Sequence, residues 1–400
     1  MKRITIMLLL LIVAITLNAQ ITHRGFVRTH LGAFIENGEY SILQNTFDWR
    51  LEYGKGDVGL YVNSVFNYNG LDKNLDINLR QAYFDIYFDN FDLRIGKQQI
   101  IWGKADGVFI TDVVSPRDLS EFILPEFEEV RIGNNAVKLD YYLGNATFEA
   151  VWIPTFQPTI TPEENSIWAK MPDFPMPFSF DNSNANVENK LSNSELAFKY
   201  SYLGSAIDFE LMTAYMWDDS PAMHIYSQSD TTIIKPEYHR LPLVGASFSK
   251  SLLGAVIRGE GAYYFDKKFS AEDFSVNGIR EKDYANYLVG YDHNWFGVNV
   301  SFQFIQEYIM DYEEDIINDE FQSTTTFLAS KTFINETLEL SLFSYYGIND
   351  NDALLRPKIS YDLSDGFNVL LGTDVFIGDE GNFGQYDEND MVYAKVRYDF

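Results

Sequence analysis

Apolar and polar residues alternate along most of this chain, in segments of about ten to thirteen residues. The last segment is the clearest. Val392, Ala394, Val396, Tyr398 and Phe400 fall on one face, and Met391, Tyr393, Lys395, Arg397 and Asp399 fall on the other. Val298, Val300, Phe302 and Phe304 alternate with Asn299, Ser301 and Gln303. Leu196, Phe198, Tyr200 and Tyr202 alternate with Glu195, Ala197, Lys199 and Ser201. Successive side chains of a strand point to opposite faces, so a period of two predicts half-buried strands.

The connections alternate as well. Short ones fall at 53–57, 89–90, 144–145, 204–205, 253–254, 296–297, 334–335 and 364–366. Longer ones, many of them acidic, fall at 104–129, 155–192, 218–239, 266–282, 311–320 and 378–390. Short turns on one rim and long loops on the other predict a transmembrane barrel. The fold expected is all-β, a transmembrane antiparallel β-barrel of about 18 strands with both ends on the short-turn side. In lipid every backbone N–H and C=O needs a partner, which a sheet achieves only when it has no edges. Such a barrel is too wide for its own strand side chains to fill, and it encloses an aqueous lumen. A secreted propeller or solenoid would want an internal repeat of blade or coil length, and none is evident.

Composition narrows the picture. The aromatic share of 16% suits strands and interfacial girdles. A formal net charge of −28 with no basic cluster excludes nucleic acid as a partner. No cysteine is present, so no disulfide framework exists. Lys2, Arg3 and the apolar run Ile6–Leu17 predict a secretory signal peptide over 1–19, leaving 20–400 as the barrel. Tyr398-Asp399-Phe400 resembles the terminal signal read by the barrel assembly machinery, which with outer-membrane lipid is an expected partner.

One stretch breaks the strand pattern. Arg94–Gly133 begins as a strand, leaves it at Trp102-Gly103 and regains it near Val130-Arg131. The intervening residues carry breakers but also Val108, Phe109, Ile110, Val113, Val114, Leu119, Phe122, Ile123 and Leu124. A long loop this apolar must pack on something, and inside a barrel the inner wall is available. The expectation is an inward-folded loop after strand 5 that narrows the pore. Gly103 and Gly107 let the backbone turn, and Pro116 holds Ser115 extended. The pore candidates are Arg94, Lys97, Gln98, Trp102, Lys104, Asp106, Asp112, Arg117, Asp118 and Arg131. Their charges either pin the loop to the wall or face the solute as a polar eyelet. Strict alternation would aim Lys97 at lipid, and a bulge would re-aim it; the Arg80 strand poses the same problem.

RIGKQQIIWGKADG followed by TDVVSPRDLSE resembles a Gram-negative outer-membrane family of porin-like barrels described as a domain of unknown function. Arg94, Gly96, Lys97, Gln98, Trp102, Gly103, Asp106, Gly107, Asp112, Pro116 and Asp118 carry the resemblance, with Leu79–Tyr83 before them; it covers roughly residues 79–135. It implies a channel, or an outer-membrane part of a transport system, and names no solute.

No enzyme signature is present. His23, His30, His224, His239 and His293 stand in no catalytic spacing, and no metal site or cofactor is expected. The acidic loops at Asp311 and Asp379–Asp390 read as solvated charge. The function expected is passive passage of small polar solutes across the outer membrane, with oligomerisation compatible. The rival is an outer-membrane component of lipid or polymer export, which would want an apolar lateral opening.

Overall fold

The computed structural model describes residues 21–169, 178–228 and 231–400, so the expected signal segment lies outside the described residues. Among them the chain forms twenty-one strands. The first seven are β1 (Ile21–Phe34), β2 (Tyr40–Lys55), β3 (Val58–Asn69), β4 (Asn74–Tyr87), β5 (Phe91–Gln98), β6 (Asn134–Leu143) and β7 (Ala146–Ile153). There follow β8 (Phe178–Phe180), β9 (Glu195–Leu203), β10 (Asp208–Trp217), β11 (Ala222–Gln228), β12 (Thr231–Glu237), β13 (Arg240–Leu252) and β14 (Ala255–Ser270). The last are β15 (Ile279–Trp295), β16 (Val298–Ile309), β17 (Phe321–Phe333), β18 (Leu338–Gly347), β19 (Asp352–Ser364), β20 (Phe367–Ile377) and β21 (Met391–Asp399).

Eighteen of these strands form one antiparallel sheet. Each pairs with the barrel strand before it, and β21 pairs back onto β1 with Phe26 opposite Asp399, so the sheet closes. Gly25 and Phe400 exchange backbone hydrogen bonds of 3.0 Å, which places both ends at the short-turn rim. The remaining three strands, β8, β11 and β12, make a small separate sheet in the long loops.

All eight expected short connections are turns between antiparallel neighbours. Leu253-Gly254 and Phe296-Gly297 have positive φ at both residues, the backbone that matches strand twist in a two-residue hairpin. The long connections need one correction. The expected loop 266–282 shrinks to 271–278, because β14 runs on past a bulge between Tyr264 and Lys267, where Asp266 takes φ 53°. The bulge breaks the alternation in the sequence without ending the strand.

The two faces follow the pattern of the sequence. Phe302 is 46% exposed on the outer face, while its neighbour Gln303 is fully buried within. Phe198, Leu211, Val289, Leu340, Leu371 and Val396 are exposed on the same apolar exterior.

The second correction concerns β5. It ends at Gln98 rather than Trp102-Gly103, and the wall resumes only at Asn134. Side chains take over the backbone donors where the ladder stops. Gln99 N–H donates to Gln81 Oε1 at 3.0 Å, Ile100 N–H to Ser115 Oγ at 2.8 Å and Trp102 N–H to Asp112 Oδ1 at 3.3 Å. The register of β4 and β5 is also resolved. Gln81 pairs with Asn63 and Leu79 with Ser64, so Arg80 is the extra residue of a bulge and reaches Asp48 inside the barrel. Gly96 has φ +137°, and a Cβ there would meet Ala82 O at 2.3 Å. That kink turns Lys97 to the lumen side, among Arg28, Arg80 and Asp118.

The register predicts a graded cost on the outer face. Phe302→Arg should cost about 2–4 kcal/mol near the bilayer midplane, and Phe302→Leu under about 1.5 kcal/mol. Gln303 is no blank control, because it is hydrogen-bonded to Asp106. Reversible unfolding in lipid vesicles measures both costs; equal values would mean that Phe302 does not face acyl chains.

Candidate functional site

The segment 99–133 between β5 and β6 meets side chains on almost every part of the inner wall. It docks through three apolar patches. Ile100, Trp102 and Val114 pack with Ala136, Val151, Met212 and Leu243 on β6, β7, β10 and β13. Ile110 packs with Leu288 and Ile305 on β15 and β16. Phe122, Ile123 and Leu124 pack with Tyr345, Leu354, Phe376 and Met391 on β18 to β21. These are residues whose apolarity demanded a surface, and the inward-facing wall supplies it. Gly107, at φ +78°, passes so close to Phe343 and Tyr345 that a Cβ would lie 2.4 Å from the Phe343 ring. A second long connection joins the third patch. Trp168 packs there, and Tyr386 donates to its carbonyl at 3.1 Å.

Charged groups tie the segment down between these patches. Arg258 on β14 reaches Asp106, and its other nitrogen donates to Lys104 O at 2.9 Å. Glu260 accepts the Thr111 hydroxyl at 2.7 Å. Lys104 reaches Glu210 on β10 at 3.5 Å. Gln303 clasps Asp106 from both sides, donating to its carbonyl at 2.6 Å and accepting its N–H at 3.0 Å. Across the barrel, Arg356 on β19 pairs with Asp374 at 2.8 Å and donates to Leu124 O at 2.7 Å. Glu126 lies between Lys358 at 3.4 Å and Lys395 at 3.5 Å, and Glu129 pairs with Arg28 at 2.8 Å. Burial works to raise the Glu126 carboxyl, but Lys358, Lys395 and Arg356 outweigh it and hold it at about 2. Glu121 goes the other way: burial raises it, against the hydrogen bond from Gln44.

A cavity of about 240 Å³ remains on one side of the segment, against β1 to β5. Arg28, Arg80 and Lys97 stand on its wall; Asp118, Glu121, Glu129 and Arg131 stand on the segment. Three cations and Asp76 on the wall thus face three anions and Arg131 on the loop. Arg28 and Arg80 have carboxylate partners, Glu129 and Asp48. Among the described residues Lys97 has no ion pair or side-chain hydrogen bond, so its ammonium is the cation of the cavity without a carboxylate partner; Asp76, Asp118 and Glu121 likewise line it without an ion pair.

Of the ten pore candidates, the structure brings Lys97, Asp118 and Arg131 to this cavity. Arg131 also pairs with Asp112 at 2.6 Å, which closes the base of the segment. Gln98 is fully buried and donates to Ala136 O at 3.0 Å, so it holds the exit from β5. Trp102 is 2% exposed and donates to Glu149 on β7, a packing position inside the barrel. Lys104 and Asp106 are tied to the β10–β14 wall. Arg94 pairs with Asp85 at 2.7 Å and lies over the Tyr83 ring. Arg117 stacks 5.0 Å from the Phe109 ring and its N–H donates to Thr159. Arg28, Gln44, Glu126 and Glu129 escaped the sequence reading. Arg28 shares the inner face of β1 with the buried Phe26, so an apolar and a basic residue on one face left it unmarked in the sequence. The two glutamates sit in and beside the helical turn Phe127–Val130, where no alternation marks them.

A family model described as "Protein of unknown function (DUF1302)" matches residues 43–400. No curated protein sequence matches the chain. Solved structures share the fold at low identity. OccK2 (OpdF) of Pseudomonas aeruginosa, in complex with glucuronate, superposes with a TM-score of 0.58 at 12% identity, covering 95% of this chain and 98% of that one. OccAB3 of Acinetobacter baumannii gives 0.55 at 11%, covering 95% and 99%. OccK11 (OpdR) of P. aeruginosa gives 0.54 at 9%, covering 95% and 96%.

Glu126 predicts a pH dependence for docking of the segment. Its carboxyl lies below the ordinary 4.5, so its contribution is full above about pH 4.5 and is lost as pH falls toward 2. Because the chain has no cysteine, Ser120→Cys gives a single site for a spin label. The label should loosen in that acidic window, and Glu126→Gln should loosen it already at pH 7. A label equally rigid in both proteins at pH 7 would remove Glu126 as an anchor.

Proposed function

The chain belongs to the DUF1302 family of proteins of unknown function, and from its barrel and lumen we propose that it is a passive outer-membrane channel for small polar solutes. The observation that carries this reading is the segment 99–133, spread over the inner wall yet leaving a charged cavity against β1 to β5. Within it, residues 104–129 are the constriction. A solute passing there meets Lys97 on one side and Asp118 on the other. Facing charges in a narrow, low-dielectric passage select by size and charge. OccK2, with which the fold is shared, holds glucuronate, a sugar carboxylate. An unpaired ammonium at Lys97 suits a carboxylate-bearing solute in the same way. Asp106, Asp112, Lys104, Arg131 and Arg258 fix the loop, while Lys97 and Asp118 meet the solute.

The export reading wants a lateral opening in the wall. The β19–β20 ladder is interrupted between Leu355–Val375 and Lys358–Gly372, where Pro357 has no N–H to donate. Arg356 and Asp374 bridge that gap with a buried ion pair of 2.8 Å, and the ladder resumes on both sides. Closure therefore favours the channel.

Planar-bilayer recordings test the proposal. Purified protein should conduct steadily, and deleting 108–123 should raise single-channel conductance while leaving the barrel assembled. Lys97→Glu should move the reversal potential in a salt gradient toward cation preference; Lys250→Glu, on the outer face, should not. The Lys97 effect should fade toward 1 M salt, where screening shortens to about 3 Å. Absence of steady conductance would sink the channel reading, and unchanged conductance in the deletion would make the segment something other than the constriction.

A further inference from the structure

The small sheet in the long loops carries a cluster that the channel does not use. On β11 and β12, His224 pairs with Lys235, which makes Glu237 its diagonal neighbour on the same face. His239 follows Glu237 by two residues, in the short connection between β12 and β13. The His224 and His239 Nε2 atoms lie 2.9 Å apart, and Glu237 Oε2 lies 3.9 Å from His224 Nε2. One donor atom from each of the three falls within 4.8 Å of the others.

We infer that His224, Glu237 and His239 form a binding site for a divalent transition-metal ion, with Zn²⁺ the type case. Two imidazole nitrogens and one carboxylate oxygen are the donor set that zinc takes when it keeps a fourth position for water. Nitrogens each ~2.0–2.1 Å from zinc at tetrahedral angles stand ~3.3 Å apart. The observed 2.9 Å separation needs an adjustment of only a few tenths of an ångström. The cation nearest in register does not compete. Lys235 is engaged by Asp181 at 2.8 Å and lies over the Tyr226 ring, beside the histidines but paired away from them. The His224 side chain is 15% exposed and that of Glu237 is 40% exposed, which leaves the carboxylate edge open to an exchangeable water. Imidazole nitrogen selects zinc, nickel or copper over Ca²⁺ and Mg²⁺. The ion would join the β11–β12 hairpin to the start of β13. That hairpin leans on the β14–β15 end, where Ile225 N–H donates to Asn277 O at 2.9 Å.

Calorimetric titration of the purified full chain with Zn²⁺, Mg²⁺ and Ca²⁺ tests this, with heat-modifiable migration as the check on barrel integrity. One equivalent of Zn²⁺ should bind, and an excess of Mg²⁺ or Ca²⁺ should not displace it. His224→Ala and His239→Ala should each abolish that equivalent, and Glu237→Gln should weaken it. His224→Cys should retain it, because a thiolate replaces one ligand by another, whereas a merely structural role for His224 would not be rescued. X-ray absorption at the zinc edge should show two imidazoles and an oxygen. Zinc binding unchanged in the two histidine variants, an oxygen-only shell, or no binding at micromolar Zn²⁺ would each overturn the inference.

Discussion

Backbone hydrogen bonding without an edge is the constraint on which this structure rests. Lipid offers nothing to an unpaired N–H or C=O, so the sheet must return to its own beginning. The β1–β21 ladder from Phe26–Asp399 to Phe34–Met391 accomplishes that return. Closure separates the faces of every strand into an apolar outside and an enclosed inside. Where the ladder falters, side chains repair it. The Arg356–Asp374 pair spans the gap at Pro357, and Gln81, Ser115 and Asp112 take the donors left free beyond β5.

An enclosed wall this wide creates a second problem, which the 99–133 segment answers. Its apolar side chains need burial and the lumen has apolar patches to offer. Its charges need partners, because an isolated ion in a partly desolvated lumen is costly. Arg258, Glu210, Lys358 and Lys395 provide them from the wall. Most barrel strands therefore serve two surfaces, lipid outside and loop inside. The cavity against β1 to β5 is space the loop does not fill, and its lining mixes paired charges such as Arg28 and Glu129 with unpaired ones such as Lys97 and Asp118.

The same division explains the peripheral sheet. Outside the barrel the chain is free of the closure requirement, and β11 and β12 pair locally. The hairpin and the connection that follows it bring together two histidines fifteen residues apart, a spacing that carries no signal by itself.

The fold was legible because lipid and lumen impose a strict period of two on the strands. Phe302 and Gln303, or Val396 and Lys395, declare their faces from sequence position alone. Eight turns and the count of eighteen barrel strands followed from the same rhythm. That the 99–133 segment required a surface was legible too, from residues such as Ile110 and Phe122 that could not stay in water. Which surface each residue would find was not, since Ile110 meets Leu288 and Phe122 meets Phe376 far along the chain. The direction of Lys97 depended on the kink at Gly96 and the bulge at Arg80, which shift the parity without leaving a mark in composition. The division of charges into anchors and free groups was decided last. It depends on distances between residues on opposite walls, such as Arg28 to Glu129 and Lys395 to Glu126, and those distances exist only once the barrel has closed around the loop.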